Sequence, residues 1–281
     1  MINISGINFS YSKKRPLFND LDLKMEKGNI YGLLGKNGAG KTTFLKIISG
    51  LRYANSGDIK VFGQNPAERK PSFFNELCFI PENLYVPPLK VSVYIKLYSP
   101  FYPDFSKKKF NKYCDAFELD VENRKLNELS QGQKKKFLLS FGMATQAKFL
   151  ILDEPTNGLD IPSKSIFRKL VASLATEDKI IIISTHQVRD VENLIDPILI
   201  LENGKIIFNH SISELTEKIS FSFVPSLPDD IKLIHKEKIM GGYMIATPSK
   251  SGVDHTGIDL EFLFNTVVSS GDKISRIMEG K

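Results

Sequence analysis

Two kinds of hydrophobic pattern divide this chain. Apolar and polar positions alternate through residues 2–9 and 17–26, as in Leu17-Phe18-Asn19-Asp20-Leu21-Asp22-Leu23. Successive side chains of a strand point to opposite faces, so the pattern predicts an antiparallel pair, joined by a polar turn over 12–16. The runs Ile30-Tyr31-Gly32-Leu33-Leu34, Phe149-Leu150-Ile151-Leu152 and Ile180-Ile181-Ile182-Ile183 are apolar throughout. They read as strands buried on both faces, the mark of a parallel sheet. Between the last two, residues 163–175 put Ile166, Leu170, Val171 and Leu174 on one side of a helix. Strand, helix and strand at this spacing predict a right-handed crossover. A further strand over 59–62 opens at Ser56-Gly57-Asp58 and closes at Gly63.

From about Asn83 to Ala147 the periodicity turns helical, broken only by the prolines between Pro87 and Pro103. Beyond 216, Gly241-Gly242 sits between two strand-like stretches and marks a hairpin. Leu260-Glu261-Phe262-Leu263-Phe264 begins a helix. The pattern therefore predicts an α/β core with a helical insertion and a small α+β tail.

Composition narrows the class. The chain has 281 residues, 42% hydrophobic and 25% charged, as in ordinary soluble globular proteins. No uncharged apolar stretch approaches the 18 or more residues of a membrane span. The segment Met1-Ile2-Asn3-Ile4-Ser5 lacks a signal-peptide layout, so a cytoplasmic protein is expected. Cys78 and Cys114 have no metal or redox spacing and read as small buried apolar residues. The net charge of +6 is densest at 107–109 and 134–136. These lysine runs read as solvated helix faces, or as attraction to anionic lipid or an acidic partner. No nucleic-acid-binding motif accompanies them, so no nucleic acid is expected.

The candidate chemistry begins at residues 35–43: Gly35, Lys36, Asn37, Gly38, Ala39, Gly40, Lys41, Thr42 and Thr43. They match the G-x-x-x-x-G-K-[ST] phosphate loop between a strand and a helix. Gly35, Gly38 and Gly40 permit backbone conformations that a Cβ resists, so the N–H groups can cradle phosphates. Lys41 reaches the β- and γ-phosphates, the Thr42 hydroxyl ligates Mg²⁺, and the helix N-terminus adds a favourable dipole. The chain is expected to bind a nucleoside triphosphate. A second apolar strand ends in Asp153-Glu154. Asp153 would hold Mg²⁺, directly or through water, and Glu154 would orient and polarise the attacking water.

Leu129-Ser130-Gln131-Gly132-Gln133 decides the kind of phosphate-loop protein. With 35–43 and Asp153-Glu154, it resembles the ATP-binding cassette (ABC) ATPases, whose signature is LSGGQ. Ser130 and Gln133 also have the spacing of a capping box opening a helix. The resemblance covers about residues 1–215. It implies a RecA-like parallel sheet with an antiparallel β subdomain and a helical subdomain inserted at about 83–147. The small α+β extension is 216–281. Tyr11 stands at the adenine-stacking aromatic of the family. Asn157-Gly158-Leu159-Asp160 resembles its D-loop, and Thr185-His186 its switch histidine, which contacts the γ-phosphate and keeps Glu154 and the water in line. The resemblance further implies that Ser130, Gly132, Gln133 and Asp160 act in trans, on ATP bound to a second ABC ATPase in a homodimer or heterodimer.

Two departures from the family pattern stand out. Glu82 replaces the usual Gln; its carboxylate can ligate Mg²⁺, but it adds negative charge beside the phosphates. Gln131 replaces the first signature Gly, a milder change because Ser130 and Gly132 remain. A cassette without membrane spans resembles the ATPase subunit of a transporter with a separate integral membrane permease, peripheral on the cytoplasmic membrane face. Glu82 and residues 102–119 resemble exporter-type relatives. Tyr85, Tyr94, Tyr98, Phe101, Tyr102 and Phe105 lie where the family receives the permease's coupling helix. The alternative is a soluble ABC ATPase acting as a switch in cofactor assembly, translation or DNA maintenance. A phosphate-loop kinase or GTPase would leave 129–133 and His186 unexplained. His210, His235 and His255 read as surface residues.

Overall fold

The computed structural model describes residues 1–12, 15–121, 124–227, 232–249 and 258–279. The middle of the expected 12–16 turn and His255 lie outside the described residues. The first strands are longer than the alternation marks. Strand β1 (Ile2–Ser12) pairs antiparallel with β2 (Arg15–Met25), Ile2 opposite Met25 and Ile4 opposite Leu23. After β3 (Asn29–Leu34) and helix α1 (Lys41–Ile48), β4 (Ser56–Val61) joins the other edge of β1, completing a three-stranded sheet.

Helix α2 (Pro71–Asn75) and strand β5 (Leu77–Ile80) precede the helical stretch. That stretch contains α3 (Val91–Tyr98), α4 (Lys107–Ala116) and α5 (Gln131–Ala144). The chain returns through β6 (Phe149–Asp153), α6 (Ile161–Ala172) and β7 (Ile180–Ser184). Helix α6 starts two residues earlier than its apolar periodicity indicates, because the Asp160 carboxylate accepts from the Ser163 N–H and caps it. The periodicity assigns no element to 198–210, where the structure adds β8 (Ile198–Glu202) and β9 (Lys205–His210).

The central sheet has six strands in the order β5-β6-β7-β3-β8-β9, parallel except for β9. The all-apolar runs follow from burial on both faces. In β7, Ile180 and Ile182 enter the core shared with Phe44 of α1 and the inner face of the antiparallel sheet. Ile181 and Ile183 enter the opposite core with Phe137 and Phe167. Fully burying such a side chain contributes about 1.5–3 kcal/mol, so neither face of β7 tolerates a polar position. Because β6, β7 and β3 are parallel neighbours, the loops leaving their C-terminal ends meet on one edge.

The C-terminal segment comprises α7 (Ile212–Lys218), β10 (Ile219–Val224), β11 (His235–Ile239), β12 (Gly242–Pro248) and α8 (Leu260–Met278). Its strands form an antiparallel sheet ordered β10-β12-β11. The hairpin turn is Met240-Gly241, with Gly241 at φ 87°, while Gly242 already pairs with Ile239. Helix α8 buries Phe262, Leu263 and Val267. His235 departs from a surface reading: its ring lies 5.5 Å from that of Phe262 and its Nδ1 meets the Ser269 hydroxyl at 3.0 Å. Among the described residues, no helix is long and apolar enough to cross a membrane.

Candidate active site

The phosphate loop links β3 to α1, and its glycines serve two different ends. Gly38 (φ 83°) and Gly40 (φ 105°) occupy the left-handed region, with Gly40 as the N-cap of α1. Gly35 does not, contrary to expectation; what it needs is space, since a Cβ there would lie 2.7 Å from the Leu201 carbonyl oxygen. Lys41 is buried, and its Nζ donates to the carbonyls of Gly35 at 2.6 Å and Lys36 at 3.3 Å. Burial lowers its pKa, an effect opposed by the carboxylates of Glu154, Asp153 and Glu82.

Thr42 Oγ1 donates to Asp153 Oδ2 at 2.7 Å, and the Ser184 hydroxyl donates to Asp153 Oδ1. The end of β6 is thus held by α1 on one side and β7 on the other. The Thr42–Asp153 pair suits a hard divalent cation: its donors are all oxygen and already adjacent. Mg²⁺ commonly uses one or two protein ligands and completes its shell with phosphate and water.

Glu154 is 5% exposed and takes a left-handed φ of 47°, uncommon for a residue with a Cβ. Both oxygens of its carboxylate are held, and Oε2 keeps an acceptor position free of these contacts. Oε2 accepts from Thr185 Oγ1 at 3.1 Å, and Oε1 accepts from the His186 N–H at 3.1 Å. His186 Nδ1 lies 2.8 Å from the same Oε1. The two residues come from the ends of neighbouring strands β6 and β7, so sheet register sets their pairing.

These groups share one cleft of about 1080 Å³, lined among others by Tyr11, Lys36, Asn37, Gly38, Gly40, Lys41, Thr42, Thr43, Glu82, Glu154 and His186. Tyr11 is 63% exposed at its rim. Its hydroxyl bonds Thr43 Oγ1 at 2.7 Å, and the Arg52 guanidinium lies 4.7 Å from its ring centre. No motif pointed to Arg52 or Ser184. They carry no local signature and become visible only through contacts.

Ser130, Gly132, Gln133 and Asp160 are not among the residues lining that cleft. Ser130 and Gln133 form both halves of the capping box: Ser130 N–H donates to Gln133 Oε1 at 3.0 Å, and Gln133 N–H to Ser130 Oγ at 3.2 Å. A Cβ on Gly132 would approach the Gly158 carbonyl oxygen to 3.1 Å, so the signature abuts the loop after β6. The Asp160 carboxylate caps α6 and lies 3.5 Å from Lys136 Nζ. Its pKa is lowered chiefly by hydrogen bonding from Ser163.

Of the aromatics after Glu82, the structure makes two groups. Tyr94 is buried in the core and Tyr102 and Phe105, partly buried, pack against it; burial pushes the Tyr94 and Tyr102 hydroxyls upward in pKa. Tyr85 is 84% exposed, Phe101 63% and Tyr98 39%.

A family model described as ABC transporter matches residues 18–157. The chain is similar to the ABC transporter ATP-binding protein YtrB of Bacillus subtilis, 31% identical over 209 residues, covering 73% of this chain and 71% of YtrB. It is also similar to the lantibiotic transport ATP-binding protein SrtF of Streptococcus pyogenes, 32% identical, covering 74% and 89% of the two chains. Among solved structures, the ATP-binding cassette MJ0796, a dimeric post-hydrolysis state bound to ADP and Pi, shares the fold. Its TM-score is 0.67 at 20% identity, covering 75% of this chain and 99% of that one. The chain belongs to the ABC transporter family, as one of its ATP-binding and ATP-hydrolysing proteins.

Proposed function

We propose that this protein is the ATPase subunit of a membrane exporter, working as a dimer of cassettes on the cytoplasmic face of a separately encoded permease. The observation that carries the reading is the Glu154–His186 pair at the ends of β6 and β7, set in one cleft with Lys41 and with Thr42, whose hydroxyl donates to the buried Asp153. A general base needs hydrogen-bond reach to its water and a fixed orientation. His186 and Thr185 supply the orientation.

In this reading the N–H groups of 35–43 and Lys41 bind the phosphates and Tyr11 stacks on adenine; Thr42 and Asp153, with Glu82, would hold Mg²⁺, which would supply positive charge to the phosphates. Glu154 takes a proton from the attacking water, while His186 holds Glu154 and contacts the γ-phosphate. Ser130, Gly132 and Gln133 at the N-terminus of α5, with Asp160, serve the partner's nucleotide. That division agrees with their position outside the subunit's own cleft, and the MJ0796 cassette is described as dimeric.

The membrane partner docks on the exposed Tyr85, Tyr98 and Phe101, which follow Glu82. Export is supported by Glu82 in place of Gln. ATP binding closes the dimer, hydrolysis reopens it, and the Glu82 loop passes the motion on. The test is to recover tagged Glu154→Gln protein with ATP from gently solubilised membranes of its own cells. A stoichiometric multi-span protein is expected. Recovery with soluble proteins or nucleic acid alone would overturn the transporter reading in favour of a soluble switch.

A further inference from the structure

Beside the phosphate cleft lies a smaller cavity, of about 400 Å³, where two loops meet the first turns of α5. It is lined by Glu82 and Asn83 after β5, Gln131 and Lys135 of α5, and Asn157 and Gly158 after β6. Lys135 is 3% exposed, and its Nζ has no hydrogen-bond partner among the described residues. Asn157 Nδ2 donates to Glu82 Oε1 at 3.3 Å, while the buried Asn157 Oδ1 likewise lacks a partner. An unpaired ammonium, an unpaired amide oxygen and a carboxylate therefore share one cavity. A buried charge without compensation is costly. Burial lowers the Lys135 pKa, and Glu82 is the strongest of the carboxylates that oppose this, ahead of Asp153 and Glu154.

We propose that Lys135 is the counter-charge of Glu82 and its positioning residue, with Asn157 donating to the same carboxylate, keeping Glu82 in the lining of the phosphate cleft. The pairing answers the charge problem that Glu82 creates. A carboxylate beside phosphates repels them, and a fixed cation on the neighbouring helix offsets that repulsion. It also joins the helix opened by Ser130 to the loop that carries Glu82, so movement of one is felt by the other. The proposal rests on reading the larger cleft as the ATPase site.

A double-mutant cycle tests it, using the full chain as wild type, Glu82→Gln, Lys135→Gln and the double variant. MgATP turnover (kcat and KM) and Tm are read for each. Each single variant should lose roughly tenfold in kcat, and the double should recover to within about threefold of wild type, as expected for coupled groups. Lys135→Arg, which keeps the charge, should retain kcat. A double variant that falls by the product of the single losses would overturn the pairing. If Lys135→Gln does not fold, Glu82→Gln alone decides. It removes the lysine's counter-charge and must lower Tm, so an unchanged or raised Tm sinks the proposal. Absent wild-type turnover, or turnover undiminished in Glu154→Gln, would instead indict the site reading, and the Tm comparison would still judge the pair.

Discussion

Thr42 and Asp153 are 111 residues apart in sequence, yet the Thr42 hydroxyl donates to Asp153 Oδ2 at 2.7 Å. The contact joins the first turn of α1 to the end of β6, so the two oxygens are adjacent before any cation arrives. Asp153→Asn keeps the shape and removes the charge. Mg²⁺-dependent ATP hydrolysis should fall by at least about a hundredfold, some 2.7 kcal/mol of transition-state stabilisation. A Mg²⁺ titration of turnover checks this; a wild-type titration curve would exclude Asp153 as a cation ligand.

Glu154→Gln should bind ATP normally and lose about 10²–10⁴ in kcat, the usual share of a positioned general base. Equilibrium nucleotide binding and single-turnover hydrolysis separate the two effects. The same variant should accumulate as a closed dimer with ATP, read by size-exclusion chromatography.

Lys41 carries a pH signature. Its folded pKa lies below the ordinary 10.5 because burial disfavours the ammonium. The folded state then binds fewer protons than the unfolded state between those two values, so stability rises with pH in that window. At neutral pH the buried ammonium is a net cost. Lys41→Met should therefore match or exceed wild-type Tm without nucleotide at pH 7, and this advantage should shrink as pH approaches 10.5. ATP should raise the Tm of wild type only. Equal ATP-induced shifts in the two proteins would mean that Lys41 does not hold phosphate.

The exposed and buried aromatics should separate cleanly. Tyr85→Ser and Phe101→Ser remove exposed side chains and should change stability by no more than about 0.5 kcal/mol while weakening permease capture. Tyr94→Ser removes a ring stacked at 4.2 Å on Tyr98 and packed on Phe137 and Phe141, and should cost about 3 kcal/mol or more. Thermal melts and co-purification from membranes give both readings. Permease capture by Tyr85→Ser and Phe101→Ser equal to wild type would move the docking surface elsewhere.

Both thiols should be inert in the folded protein. Burial pushes Cys78 up to about 12 and Cys114 up to about 11, and the thiolate is the reactive form. Iodoacetamide at pH 8 should leave both unlabelled until denaturant is added, as intact mass will show. Rapid native labelling of Cys78 would mean that β5 opens locally, and of Cys114 that α4 does.

Local pattern determined a good deal of this protein. The phosphate loop, the carboxylates ending the 149–154 run, and the Ser130–Gln133 capping box are all short-range features. Backbone conformation and nearest-neighbour bonding specify them, so they are readable in order along the chain. The all-apolar runs also carried the parallel sheet, because burial on both faces leaves no polar position.

Tertiary structure alone decided the rest. That Gly35 is needed for space depends on the Leu201 carbonyl, brought near by β8. The grip of Ser184 on Asp153, the Arg52 contact with Tyr11 and the burial of Lys135 join residues far apart in sequence. The division of the aromatics after Glu82 into core and surface likewise came from packing. No periodicity encodes which strand lies beside which, or which loop meets which. Those follow from the order β6-β7-β3 in the sheet, and that order sets Glu154 against His186 and Thr42 against Asp153.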